Sequence, residues 1–199
     1  MPRISTSAMA FNPVVAVCDA CVLYPFHLRN VIVQAAVDRL FHARWTDAIH
    51  DEWMQNLIAN TPGLPPDRLM GTKRLMDLAL PEARIAGYEQ HIPAISLPDP
   101  DDRHVAAAAI AAGASTIITW NLRDFPVGAL RKHNLVRQTP DAFLADLHEQ
   151  LPEQTTGSLA NARRNLRRSR VSASDFLDIL RGQKLTRLAA QIEKHIDDL

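Results

Sequence analysis

One stretch limits this chain more than any other: Leu97 to Phe125, LPDPDDRHVAAAAIAAGASTIITWNLRDF. It opens with Asp99, Asp101 and Asp102, runs through an alanine-rich helical segment, and stops at Gly113. A β-branched strand, Thr116 to Thr119, then leads into Asn121 and Asp124. Helix, tight turn and strand in this rhythm predict a parallel α/β sheet. Val105, Ala106, Ala109 and Ala112 fall at helical spacing after Asp102, so Asp102 belongs to the first turn, where the helix dipole favours negative charge. One aspartate would satisfy a cap, and three exceed it. Gathered carboxylates raise each other's energy unless a cation is present, which points to a divalent-metal site.

The start of the chain supplies a second wall. Pro13 to Cys18 (PVVAVC) reads as a strand buried on both faces, and Asp19 follows it at once. In α/β folds, sites assemble at the carboxyl ends of strands. The alternative for Asp19 is a turn or helix cap, but the following ACVLYP is too apolar for a plain surface turn. Cys18 and Cys21 form a C-x-x-C without the aromatic-Cys-Gly-Pro-Cys setting of a redox dithiol. They are expected to be small buried residues, and with only two cysteines no disulfide scaffold is possible.

Between these walls the periodicity predicts helices over Asn30–Phe41, over 47–58 after a Thr46 cap, and over Asp67–Leu80. In the second, Glu52 falls at the edge of the Ile49, Trp53, Leu57 stripe and is expected half-buried, as a site residue or an ion-pair partner. The third draws its apolar positions from Leu69, Leu75, Met76, Leu78 and Ala79. Ile92–Leu97 and Leu135–Arg137 are strand candidates, and Asp141–Gln150 is a helix with Asp141 as its cap.

Leu151–Ser158 (LPEQTTGS) has the composition of a linker. The division expected is therefore a body over residues 1–150 and a helical extension over 151–199. The extension packs five arginines into Ala162–Arg170 and continues with helices over Asp175–Arg181, capped by Ser172, and Leu185–Ile196. Net charge is zero overall, but the body carries 13 Lys+Arg against 16 Asp+Glu and the extension 9 against 6. The arginine run could therefore supply a field for a polyanion, dock an acidic protein segment, or form a solvated helix face.

Several classes are excluded. The amino terminus has no apolar leader core, so no secretory signal is expected, and no run is long enough to span a membrane. A cytoplasmic location is the default. H-E-x-x-H, G-x-S-x-G, P-loop and G-x-G-x-x-G patterns are absent, and the eight histidines are scattered. What remains is carboxylate chemistry, which selects hard cations such as Mg²⁺ or Mn²⁺.

The ordered set of Asp19 after the first strand, Glu52 on a helix, Asp102 opening a helix, and TWNLRDF resembles the PIN-domain nucleases, and within them the VapC-type toxins of prokaryotic toxin–antitoxin modules. The likeness covers about residues 14 to 147. It implies a three-layer α/β/α PIN-like fold with a central parallel sheet, here with a carboxyl-terminal α-helical extension. It also implies a Mg²⁺- or Mn²⁺-dependent endoribonuclease, an RNA substrate, a cognate antitoxin protein and a homodimer. Asp19, Glu52, Asp102 and Asp124 match the catalytic, metal-binding positions of the family. Asp101, Thr119 and Asn121 become supporting residues around the metal, and Arg29, Arg103 and Arg123 candidate RNA contacts. Asn121 stands where many members have Asp, and Cys21 where Asn or Ser is common, which lowers the charge and removes one water-mediated contact. A catalytically weak PIN scaffold that binds RNA or protein is the alternative.

Overall fold

In the computed structural model, which describes residues 12–167 and 169–199, the β-branched run at the start becomes strand β1, Val15–Cys18. Most of the leader stretch and Arg168 of the arginine run lie outside the described residues. A short helix α1 (Ala20–Leu23) follows, then α2 (Phe26–Val37), strand β2 (His42–Arg44), α3 (Asp47–Asn60) and α4 (Pro66–Ala79). A 3₁₀ turn, Glu89–Ala94, precedes α5 (Arg103–Ala111) and strand β3 (Thr116–Ile118). Then come α6 (Val127–Arg131), strand β4 (Val136–Gln138), α7 (Pro140–Gln150), α8 (Pro152–Asn165), α9 (Ala173–Gly182), α10 (Thr186–Ile192) and a final 3₁₀ turn, Glu193–Asp198. Among the described residues no helix is long and apolar enough to cross a membrane.

The strands form one parallel sheet in the order β2-β1-β3-β4. Between β1 and β3 the register pairs Val17 with Ile117 and Cys18 with Ile118. The ladder continues one step further, because Asp19 N–H donates to the Ile118 carbonyl at 3.0 Å. From β1 the chain winds outward to β2, then returns past β1 to β3. Right-handed crossovers therefore place α2 on one face and α5 on the other, and the winding reverses between β1 and β3. The carboxyl ends at that reversal are Asp19 and Thr119.

Each face is closed by small or aromatic side chains. On α5, Val105 and Ala106 to Ala109 are fully buried, and a helix faced with alanine can approach the sheet closely. Gly113 adopts φ 61° and ends α5 with the paired bonds Gly113 N to Ile110 O and Ala114 N to Ala109 O, a turn only glycine makes without cost. On the other face, the Phe41 and Phe143 rings meet edge-on at 4.9 Å.

Several expected elements differ. Ile92–Leu97 is not a strand: its first half lies in the 3₁₀ turn, where Pro93 lacks the N–H a sheet ladder requires. The helix expected over Asn30–Phe41 starts at Phe26 and ends at Val37, since Arg39 takes a left-handed φ of 61° and turns the chain into β2. On α4 only Leu69 and Met76 are buried, while Leu75 and Leu78 are 68% and 66% exposed, because α4 touches the body along a single stripe. The presumed linker Leu151–Ser158 is mostly the first half of α8. Pro152 suits a first helical position, and Thr155, Thr156, Ser158, Leu159 and Ala162 are buried against the body. Packing overrides a weak local propensity there.

Asp141 does not cap α7, because Thr139 Oγ1 accepts from Ala142 N–H instead. The Asp141 carboxylate caps α10, accepting from Arg187 N–H and Leu188 N–H at 3.0 Å each. The Ser172 cap of α9 and the Thr46 cap of α3 are as expected. On α10 the face of Leu188, Ala189 and Ile192, with Leu185 before it, is fully buried.

Candidate active site at the carboxyl edge of the sheet

Asp19 is the fixed point of the site. It is 2% exposed, at the amino end of α1, and each oxygen is held. Oδ1 accepts from the Ala20 N–H at 2.6 Å; Oδ2 accepts from the Thr119 hydroxyl at 2.6 Å and the Cys21 thiol at 3.1 Å. The cap reading is realised on one oxygen, and the other is tied to the neighbouring strand end. Burial pushes the Asp19 carboxyl above the usual range, the Thr119 and Cys21 bonds pull it back, and Glu52 pushes it up again.

The chain after β3 is tied to the same point. Asn121 N–H donates to Thr119 Oγ1 at 2.9 Å and Trp120 N–H to Cys21 Sγ at 3.3 Å. Thr119 and Cys21 therefore bind Asp19 and brace the turn that carries Asn121 and Asp124. The Cys21 thiol is pushed up to about 12, chiefly by burial and then by the Asp19 charge, and Cys18 is pushed up for the same reasons. Both are free, and the geometry favours the small-buried-residue reading over a redox pair.

Asp102 precedes α5 in a helical conformation, φ −80° and ψ −8°, and its side chain makes no cap hydrogen bond. The local turn falls to Asp99, whose Oδ1 accepts from Asp101 N–H at 2.9 Å, while Asp101 is exposed at the rim. Asp102 is half-buried, and its carboxyl is pushed up to about 6, first by desolvation, then by the charges of Asp19, Asp124, Asp99 and Glu52. Asp19, Asp124 and Glu52 thus all bear on Asp102. Capping alone does not account for Asp102.

Glu52 departs from expectation. Its side chain is 45% exposed, because α3 turns Ile49, His50, Trp53 and Met54 inward. It leans to His104, with Nε2 to Oε2 at 3.5 Å. His104 was not singled out from sequence; its place two residues after Asp102 was the available signal. Among the described residues no three His, Cys, Asp or Glu side chains stand close enough together to grip an ion as they lie. Like charges repel, and Glu52 has a histidine to turn to. In donor type and net charge the carboxylate group nonetheless suits a hard divalent cation.

The candidate RNA arginines separate. Arg29 is not at the rim: it is 7% exposed, donates to the carbonyls of Leu23 and Tyr24, and lies 4.6 Å from the Trp53 ring centroid. Burial lowers it to about 10. It links α2 to α3 as an internal cation. Arg123 is exposed beside Asp124, and Arg103 is half-buried at the start of α5. In the arginine run, Arg163 is used internally, donating to the Val171 and Leu199 carbonyls at 2.8 and 3.0 Å, while Arg164, Arg167 and Arg170 are exposed.

Comparison with known proteins places the chain in a family. A family described as "PIN domain" matches residues 15–123, which include Asp19, Glu52 and Asp102, and one described as "VapC50 C-terminal domain" matches residues 140–194. A curated Mycobacterium tuberculosis protein named "Putative ribonuclease VapC50" is 43% identical over 54 residues, 27% of this chain and 32% of that protein. The chain thus aligns with about a third of the length of the curated relative it matches. No solved structure gives a significant match. The chain belongs to the PIN-domain family, and its carboxyl-terminal part is similar to that of VapC50.

Proposed function

We propose that this protein is a Mg²⁺- or Mn²⁺-dependent endoribonuclease, the toxin of a toxin–antitoxin module, acting in the cytoplasm with a cognate antitoxin as partner. The observation that carries the reading is buried Asp19, held by the Thr119 hydroxyl at the winding reversal of a parallel sheet, together with half-buried Asp102, whose carboxyl is raised by desolvation and then by the charges of Asp19, Asp124, Asp99 and Glu52. Residues 1–150 form the nuclease body and 151–199 an extension packed on it.

In this reading Asp19, Asp102 and Asp124 would hold the cation, and Glu52 would complete the set if it turned from His104. A bound cation would neutralise charge at the scissile phosphate and lower the pKa of water, so that hydroxide is available as the nucleophile near neutral pH. Thr119, Cys21 and the Ala20 N–H hold Asp19 in one orientation, so that its position need not be found anew at each turnover. Asp102, free of capping duty, keeps both oxygens available. Exposed Arg123 borders the site and offsets phosphate charge.

The test is cleavage of RNA by purified protein with Mg²⁺ or Mn²⁺. Activity should vanish with chelator and in the Asp19→Asn plus Asp102→Asn protein. Retained cleavage by that double variant overturns the assignment. The weak-scaffold alternative is favoured by exposed Asn121, which brings no carboxylate. Calorimetry with Mn²⁺ separates the two, since a dead scaffold binds it poorly.

A further inference from the structure

The turn between α9 and α10 brings one residue of the extension back to the carboxyl edge of the sheet. Lys184 Nζ stands 6.0 Å from the centroid of the Trp120 ring. Trp120 is the residue between Thr119 and Asn121, and its backbone N–H is tied to the Cys21 thiol that also binds Asp19. The indole is half-buried, with one part packed on the core and the rest at the rim.

The neighbouring cations are already engaged. Arg181 is paired with Asp178 and Glu193 at 2.9 and 2.8 Å, and Arg187 with Asp146 and Glu149 at 2.8 and 2.7 Å. Lys184 is exposed and has no carboxylate partner among the described residues. Its backbone is held at φ 60° by the turn, with Lys184 N–H to Arg181 O at 2.9 Å and Leu185 N–H to Leu180 O at 3.0 Å, so its side chain leaves from a fixed point. A half-buried indole at the rim with an exposed lysine over its ring offers the two groups that bind single-stranded nucleic acid, the base stacking on the aromatic ring and the phosphate meeting the charge.

We propose that Trp120 and Lys184 form a nucleotide platform at the rim of the carboxylate site, on which a base next to the scissile phosphate of single-stranded RNA stacks. The extension thereby contributes to substrate binding through Lys184. This rests on the ribonuclease reading above and extends it to a substrate contact.

The sequence itself provides the probe. Trp45 and Trp53 are fully buried, so of the three tryptophans only Trp120 can touch RNA. The full-length Asp19→Asn protein, titrated with a short oligouridylate in Mg²⁺, should lose tryptophan emission as RNA binds. Trp120→Leu should abolish that quenching and raise Kd about fivefold or more. Lys184→Ala should raise Kd severalfold and reduce the slope of log K against log salt by about 0.7, one phosphate contact on a single strand.

If Trp120→Leu does not fold, protection of the tryptophan from acrylamide by oligouridylate, with and without Lys184→Ala, reads the same contact. A merely structural Lys184–Trp120 contact would leave the salt slope unchanged, and an unchanged slope with unchanged Kd overturns the proposal. So does RNA binding without quenching or protection, or no oligouridylate binding at all. Wild-type protein that cleaves RNA while the platform stays silent sinks only this inference. Protein that binds oligouridylate on the platform but cleaves no RNA sinks the ribonuclease reading instead.

Discussion

The Thr119 hydroxyl donates to Asp19 Oδ2 across 2.6 Å of space and 100 residues of chain. It joins the ends of two adjacent parallel strands at the one place where the sheet changes winding direction. Thr119→Val keeps the shape and removes the donor, leaving a buried carboxylate with one bond fewer. The expected cost is about 2 kcal/mol in urea denaturation, together with a loss of RNA cleavage, and Thr119→Ser should restore most of both. A Val variant as stable and active as the parent would show that this bond orients nothing.

Asp102 links pH to stability. Folding raises its carboxyl from an ordinary 3.8 to about 6, so between those values the native state holds a proton that the unfolded chain has released. Its contribution is complete below 3.8 and is lost as pH rises through about 6. His50, lowered to about 4 by burial, acts in the opposite direction, so the comparison must be between variants. Without added divalent metal, Asp102→Asn should melt higher than the parent at pH 7, with the gap closing toward pH 4. Equal melting curves at pH 7 would contradict the crowding of charge around Asp102.

Asp141 holds α10 from a distance. Asp141→Ala should cost about 1 kcal/mol, and Asp141→Asn much less, since Asn is an equally good cap. Hydrogen exchange locates the effect: the Arg187 and Leu188 amides should lose protection in the Ala variant. Loss of protection in the first turn of α7 instead would return Asp141 to the local cap.

The two thiols should be inert. Cys18 is fully buried and Cys21 is pushed up to about 12, so neither offers thiolate at neutral pH. Iodoacetamide at pH 8 should label both only after denaturation. Rapid native labelling of Cys21 would mean that its hydrogen bonds to Asp19 and Trp120 are not kept in solution.

Where the chain's own pattern was strong, reading and structure coincide. The β-branched runs before Asp19 and Thr119 are the two central strands, Gly113 ends α5, and Thr46 and Ser172 are caps. β2 escaped notice because three residues, His-Ala-Arg, carry no strand signal of their own and pair only because β1 offers an edge. Glu52 lies further outward than the apolar stripe predicts, since spacing fixes a helical face only to within one residue, and His50 and Met54 share the buried side.

The sequence alone determined which polar residues stand at strand ends and helix starts: three carboxylates and a threonine, in a chain alternating as a parallel sheet must. Period, breakers and caps are properties of a few neighbouring residues, so they can be read without the fold. Only the tertiary structure decided who meets whom: Arg29 turned inward onto Trp53, His104 against Glu52, Asp141 on α10, and Lys184 beside Trp120. Those partners lie far apart along the chain, and each pairing depends on how a helix is rotated against the sheet, which the whole core sets together. The same reason governs Leu97–Phe125. Its aspartates suggest a site, and the packing of α5 on the sheet leaves Asp102 half-buried without a cap hydrogen bond, Asp101 exposed, and Asp99 holding the local turn.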